Sequence, residues 1–420
     1  MLFFIICVGG CNKDYTEERG VASVNFQPGS ASDIGGDFII LYGTFFEGHY
    51  YIYSTNGEYD KCGVCYSESN STPTINDHVH YSEAGDEVLK IFGLKEKTTY
   101  YLRSFIQKEN AIAYSDEVYS YTTLPKYSGT WVRKANFAGV RKFAVGFSIG
   151  NKGYVGTGYS NHQDFWEYDP TANSWTQKAD FAGGSRYEAV GFSIGNKGYV
   201  GTGYSSGNGE KQDFWEYDPA TNNWTKKADF AGGNSRGAIG FSIGNKGYMG
   251  GGGGYYADKY FWEYNPASNT WTQKADFTGK SRKNAVGFSI GNKGYMGTGG
   301  GPINEYFYAN TFWEEQDFWE YDPATNRWTQ KADVPIRTQG AVGFAIGNKG
   351  YVGIGNENSK ELFSFWEYDP NSNRWTQKSD FSGGGRCFAV GFSIEDKGYV
   401  GTGFFYGHDR TEKDFWEFTP

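Results

Sequence analysis

Three short motifs recur in fixed order through the last two-thirds of this 420-residue chain, and a chain that repeats at a fixed period buries its hydrophobic surface by stacking the copies. "GY(V/M)G" starts at Gly153, Gly198, Gly247, Gly294, Gly350 and Gly398. "FWEY(D/N)P", or "FWEFTP" in the last copy, starts at Phe165, Phe214, Phe261, Phe318, Phe365 and Phe415. A Trp-Thr-Gln-Lys-like element starts at Trp175, Trp224, Trp271, Trp328 and Trp375, with an early relative, "TWVRKANF", at Trp131. Read as strands, one unit supplies "AVGFSI", a Gly-Asn-Lys hairpin, "GYVGTG", a variable loop, "DFWEYD", a Pro-x-x-Asn turn and "WTQKA". That is four short strands in about 48 residues. The 61 glycines, 34 tyrosines, 33 phenylalanines and 13 tryptophans suit tight turns and strands, and no long stretch carries apolar residues at helical period. The fold class is all-β.

The units resemble kelch repeats over residues 131–420. Arg186, Gly201, Gly203, Tyr217, Asp218 and Trp224 stand in that family's order, with the usual double glycine split by a threonine, as at Gly156-Thr157-Gly158. The resemblance implies a six-bladed β-propeller. The chain ends at Pro420, after a third-strand motif, so the orphan "TWVRKANF" is expected to supply the outer strand of the last blade and so close the ring by a strand swap. The repeated carboxylates Glu167, Glu216, Glu263, Glu320, Glu367 and Glu417 cannot converge on one substrate, and they are expected to pair with Lys or Thr on an adjacent strand.

Upstream, the apolar run from Leu2 to Val8 is too short to span a bilayer, which takes about 20 residues. It ends in Val8-Gly9-Gly10-Cys11, which resembles the lipobox of bacterial lipoproteins and implies export with a lipid on Cys11; "CNKDYTEE" resembles the tether of Bacteroidetes-type surface lipoproteins. Residues 1–11 are thus expected to be a signal peptide, 12–19 a tether and 125–130 a linker. Residues 20–124 lack tryptophan and alternate in short stretches such as "CGVCYS" and "TTYYLRSF". They resemble a fibronectin type III-like, immunoglobulin-like sandwich in which Tyr100 would be the corner tyrosine, and they are expected to act as a spacer. Cys62 and Cys65 form a lone CxxC whose side chains point to opposite strand faces, and Cys65 is expected to be a core thiol.

The formal charge of −9 argues against a nucleic-acid surface. Because the repeats are scaffold, function is sought where copies differ. The resemblance implies that the loops joining second to third strands open on the same face as the links from fourth to first strands. The former carry Tyr159, Tyr204, Tyr255, Tyr256, Tyr306, Tyr308, Trp313, Phe404 and Tyr406, aromatic side chains suited to stacking on sugars or anchoring a protein. An arginine precedes each first strand: Arg141, Arg186, Arg236, Arg282, Arg337 and Arg386. Arg236 stands one residue closer to the strand than most, and Arg337 one further away. At the channel mouth these six would form a cationic ring for a carboxylate, unless, as their place in the kelch pattern favours, they pair structurally with acids of neighbouring blades.

The favoured reading is a monomeric, lipid-anchored surface module that binds a glycan or protein, with no cofactor and no metal. A second is a sugar-active enzyme resembling kelch sialic-acid mutarotases, with Glu188, Asp258, Glu305, Glu314, Glu315 and Asp409 as candidate acid-base groups by location. A remote third resembles galactose oxidase, a copper enzyme, for which only His162, His408 and Cys387 are at hand.

Overall fold

The computed structural model describes residues 33–34, 38–42, 61–82, 88–116, 118–123, 127–254, 257–302, 312–405 and 410–420. The leader, the tether and Cys11 lie outside them. The chain divides into two compact units, Met1–Tyr127 and Ser128–Pro420, and no helix occurs among the described residues.

Among the described residues the first unit has two antiparallel sheets. Phe38–Tyr42 lies between Asp33–Ile34 and Val88–Phe92; the larger sheet orders His78–Ser82, Lys61–Ser67, Thr99–Lys108 and Ala111–Tyr114, with Tyr119–Thr122 also on Thr99–Lys108. Val64, Leu102 and Phe105 are buried there. Tyr100 is buried too, and its hydroxyl accepts from the Lys95 amide at 2.9 Å. Cys65 is a core thiol, pushed up to about 12 by burial and then by the Asp77 charge, and Cys62 is equally buried.

The second unit holds six four-stranded antiparallel sheets. Blade 1 runs Val145–Ile149, Lys152–Gly156, Phe165–Asp169, Ser174–Gln177, and the same order recurs from Val190, Ala238, Val286 and Val342. In blade 6 the strands Val390–Ile394, Lys397–Gly401 and Phe415–Thr419 are completed by Thr130–Lys134, with Trp131 opposite Phe418. Each innermost strand packs on those of two neighbouring blades, and Val145–Ile149 packs on Val390–Ile394, so the sheets close into a ring. This is a β-propeller.

Burial on both blade faces explains the monotony of the repeat. Phe165 faces Tyr217 and Trp224 of blade 2, at 4.9 and 5.0 Å between ring centroids, and Tyr168, on the opposite face, meets Phe415 of blade 6 at 4.9 Å. Neither ring has any solvent exposure. The glycines of "VGF" and "GYVG" are floors for rings. A methyl on Gly191 would stand 3.0 Å from the Phe147 ring of the preceding blade, and one on Gly198 would stand 2.6 Å from it. Each repeated glutamate is internal to its blade: Glu167 accepts from the Tyr154 hydroxyl at 2.5 Å and pairs with Lys178 at 3.6 Å, and Glu417 takes Tyr399 and, across the closure, Lys134.

The turn asparagine staples neighbouring blades. Asn173 Oδ1 accepts from the Tyr168 hydroxyl and from the Ala135 amide of the preceding unit, while Trp175 Nε1 donates to the Ala135 carbonyl. Blade 6 has no such turn, because its third and fourth strands come from opposite ends of the second unit. The last motif accordingly reads Phe418 where the others have tyrosine, and Ser379 replaces alanine and donates its hydroxyl to Gly129 O at 2.6 Å.

Candidate functional site

Four of the six arginines are structural pins. Arg141, Arg186, Arg282 and Arg386 are at most 2 % exposed. Arg141 forms a two-pronged pair with Asp164, at 2.7 and 2.9 Å, and also donates to Thr157 O at 2.9 Å. Its guanidinium lies 5.0 Å from the centre of the Phe137 ring, and Asp164 also accepts from Trp166 Nε1. The same set recurs as Arg186–Asp213–Trp215, Arg282–Asp317–Trp319 and Arg386–Asp414–Trp416. The cationic ring is therefore not formed: these four guanidinium groups take the structural pairing instead, with carboxylates of their own blades rather than of neighbouring ones. In blades 3 and 5 the aspartate is replaced by Tyr260 and Ser364, Trp262 and Trp366 Nε1 have no partner among the described residues, and the arginine has moved. Arg337 is exposed and reaches Glu314 O at 3.3 Å; Arg236 has gone to the channel mouth.

That mouth is built in tiers from the links entering each first strand. Its floor is a ring of alanines: Ala144, Ala189, Ala238, Ala285, Ala341 and Ala389. Above it lies a belt of Phe143, Glu188, Gly237, Asn284, Gly340 and Phe388, every one left-handed, with φ between 53° and 64°. Each belt amide donates to the belt carbonyl of the preceding blade, from Glu188 N to Phe143 O at 3.1 Å round to Phe143 N to Phe388 O at 3.1 Å, so six bonds close a circle. Belt and floor together line a cavity of about 150 Å³. All its lining other than Phe143, Glu188, Asn284 and Phe388 is alanine or glycine, so four side chains set its chemistry.

Those four are held at a cost. A residue with a Cβ in the left-handed region is disfavoured by about 1–2 kcal/mol, less for asparagine, and a bulky aromatic there is an outlier. Gly237 and Gly340 show that the belt itself is satisfied by glycine. Side chains retained at four positions that glycine satisfies elsewhere in the belt make these four the candidates for function. Phe143 and Phe388 stack at 4.0 Å between centroids, and a methyl on Gly340 would strike the Phe388 ring at 2.6 Å. The Asn284 carboxamide lies over Gly237 towards Glu188, whose charged form it favours.

A rim one residue further out carries Lys142, Tyr187, Arg236, Lys283, Gln339 and Cys387. It is tied to the loops between second and third strands by the bridges Tyr187 with Tyr204, Lys283 with Gly300, Gln339 with Asn356 and Cys387 with Phe404. Both sets of loops therefore share one face. The charges gather on the side of blades 2 to 4. Arg236 Nε is 3.7 Å from both Glu188 and Glu210 and stacks on Tyr204 at 5.1 Å. Burial pushes the Glu188 carboxyl up, against the pull of Arg236 and Lys283. Burial and then Arg236 push the Lys283 ammonium down, against Glu188, Glu210 and Asp258, and Lys283 donates to Gly254 O. Burial also raises Asp258, against Lys283.

Of the loop aromatics, Tyr159, Tyr204 and Phe404 stand around this mouth: Tyr159 is 46 % exposed, and Lys142 lies 5.1 Å from its ring and 3.5 Å from that of Phe404. Tyr255, Tyr256, Tyr306, Tyr308 and Tyr406 lie outside the described residues, as do Glu305, His408, Asp409 and the side chain of Trp313. Glu315 is buried against Lys280, and Glu314 Oε1 accepts from Asn358 N. His162 sits 3.8 Å from Asp164. Cys387 is buried among Phe143, Phe388 and Phe404 with its thiol pushed up by burial, surroundings that do not fit a cysteine–tyrosine copper centre. Sequence reasoning included Glu188 only as a candidate by location and missed Phe143, Asn284, Phe388, Lys142 and Lys283. The available signal was the residue before the invariant alanine, which reads Phe, Glu, Gly, Asn, Gly, Phe while its surroundings repeat.

No protein-family model matches the chain, and no curated protein matches its sequence. Among solved structures it is similar to YjhT, with a TM-score of 0.59 at 18 % identity over 67 % of this chain and 95 % of that one. At that identity the likeness is one of fold alone, and it agrees with the β-propeller described above.

Proposed function

We propose that the chain is an exported, lipid-anchored binding protein whose propeller recognises a carbohydrate in the funnel floored by the belt. One observation carries this: among the described residues, the side chains other than alanine and glycine in the cavity are two stacked phenylalanines, a glutamate and an asparagine, all four on left-handed backbone. Stacked rings suit the apolar face of a sugar, and the carboxylate and carboxamide suit its hydroxyls. Export, the lipid on Cys11, display on the outer surface, the fibronectin-like spacer and a monomeric state rest on the sequence motifs and belong to the same proposal.

A glycan screen on the full chain by calorimetry tests the reading. Glu188→Gln and Asn284→Ala should each weaken binding of the best ligand by about tenfold or more, as for a lost buried hydrogen bond. Affinity unchanged in both variants, or no saturable glycan binding, refutes it. A second reading, acid-base catalysis on a sugar, is favoured by the raised pKa of the enclosed Glu188. Catalysed interconversion of sugar anomers, abolished by Glu188→Gln, would select it over binding alone.

A further inference from the structure

We propose that the ligand is an oligosaccharide rather than a single sugar, with a terminal unit in the funnel and the next units on an aromatic ladder along the rim. This rests on the carbohydrate reading above. Tyr159, Tyr187 and Tyr204 form the ladder, with ring centroids 5.2 and 5.3 Å apart. They come from three separate segments: the loop of blade 1, the link into blade 2 and the loop of blade 2. The backbone pairing of Tyr187 with Tyr204, and the Tyr159 amide bonded to Lys142 O, fix their spacing. The ladder joins the funnel directly, since the Phe143 ring is 6.2 Å from that of Tyr187. Cations stand at both ends: Lys142 lies 5.1 Å from the Tyr159 ring and Arg236 lies 5.1 Å from the Tyr204 ring.

Among the described residues this row of three tyrosines occurs only here, although blade 6 also carries an aromatic, Phe404, at the Tyr204 position. At the positions of Tyr187 and Tyr204, blade 4 has Lys283 and Gly300, and blade 5 has Gln339 and Asn356. The scaffold therefore does not require aromatics there. The cavity of about 150 Å³ is small beside common ligand sites, which run to several hundred, so a longer ligand must use surface outside it. A row of rings inclined at 65° and 44° to one another, Tyr159 exposed and Tyr187 and Tyr204 half-buried, continues from the funnel and gives each added sugar an apolar surface to cover. Lys142 and Arg236 can add hydrogen bonds to hydroxyl or carboxylate groups at either end of the row.

Calorimetry on the full chain with three series tests this: glucose to maltotriose, N-acetylglucosamine to its trimer, and galacturonic acid to its trimer. In the series that binds, affinity should rise about tenfold from monomer to trimer. Tyr159→Ala should remove most of that gain while leaving monomer affinity unchanged; Tyr159 is 46 % exposed, so the variant should melt as the parent does. Glu188→Gln should instead weaken monomer and trimer alike. Equal affinity for monomer and trimer, or a trimer affinity untouched by Tyr159→Ala, overturns the ladder and leaves the funnel standing. Absence of binding in all three series overturns the ladder together with the carbohydrate reading.

Discussion

Replacing Asp317 by serine should be far more damaging alone than together with its partner. Arg282 is fully buried; it bonds Asp317 at 2.5 and 2.8 Å and Thr298 O at 2.9 Å, and lies 4.7 Å from the Phe277 ring centre. Removing the carboxylate leaves a buried guanidinium uncompensated, a loss of about 3–5 kcal/mol. The chain itself supplies the cure. Blade 5 has Thr338 near the arginine position, Ile354 for the threonine and Ser364 for the aspartate, and it folds with Thr338 Oγ1 donating to Ile354 O at 3.3 Å. Transplanting that set into blade 4, as Arg282→Thr, Thr298→Ile and Asp317→Ser together, should recover all but about 1–2 kcal/mol, because no charge remains buried. At about 2–4 °C per kcal/mol, Asp317→Ser lowers the melting temperature by about 10 °C, and the triple variant by a few degrees. Scanning calorimetry at neutral pH reads both. Equal loss in the two variants would refute the idea that the pair exists to compensate itself.

Other consequences follow from the same geometry. Arg141, Arg186 and Arg282 hold Asp164, Asp213 and Asp317 below the ordinary carboxylate value of 3.8 despite burial, which opposes them. Their contribution to stability is therefore complete above about pH 4 and is lost as pH falls through their folded pKa values; acid titration of the melting temperature should show a plateau and then a drop, weaker in the triple variant. Gly198→Ala should cost about 1–3 kcal/mol in a denaturant melt, because its methyl would meet Phe147 at 2.6 Å and Ile149 at 3.1 Å within a packed blade interface. Cysteines placed at Thr130 and Thr419, which face each other across the closing strands, should form a disulfide within one chain under mild oxidation, located by peptide mapping. Only cross-linked dimers, or no cross-link, would contradict the closure.

Much of the scaffold was legible because its causes are local and repeated. The hairpin turns, the aromatic third strand and the missing last strand stand in plain sequence, so blade number and strand swap could be read before any coordinates. Structural pairing of the arginines with acids was legible, but the acids were expected on neighbouring blades and lie in the arginine's own blade. The aspartate before Phe-Trp-Glu is present in the four blades whose arginine is pinned and absent, as Tyr260 and Ser364, in the two whose arginine has shifted. That pairing across 23 to 35 residues is a contact, and contacts become visible only once the strands are folded together. The belt was missed for a related reason: nothing in the letters of Phe143 or Phe388 declares a left-handed backbone, which the closing circle of hydrogen bonds imposes.

The most direct test of the whole account is the crystal structure of the full chain with its best-binding saccharide. Density over the belt, with a sugar face on Phe143 and Phe388 and hydroxyls on Glu188 and Asn284, is the expected result. Density on the opposite face, at the Gly-Asn-Lys turns, or in the first unit with the funnel empty, would contradict it.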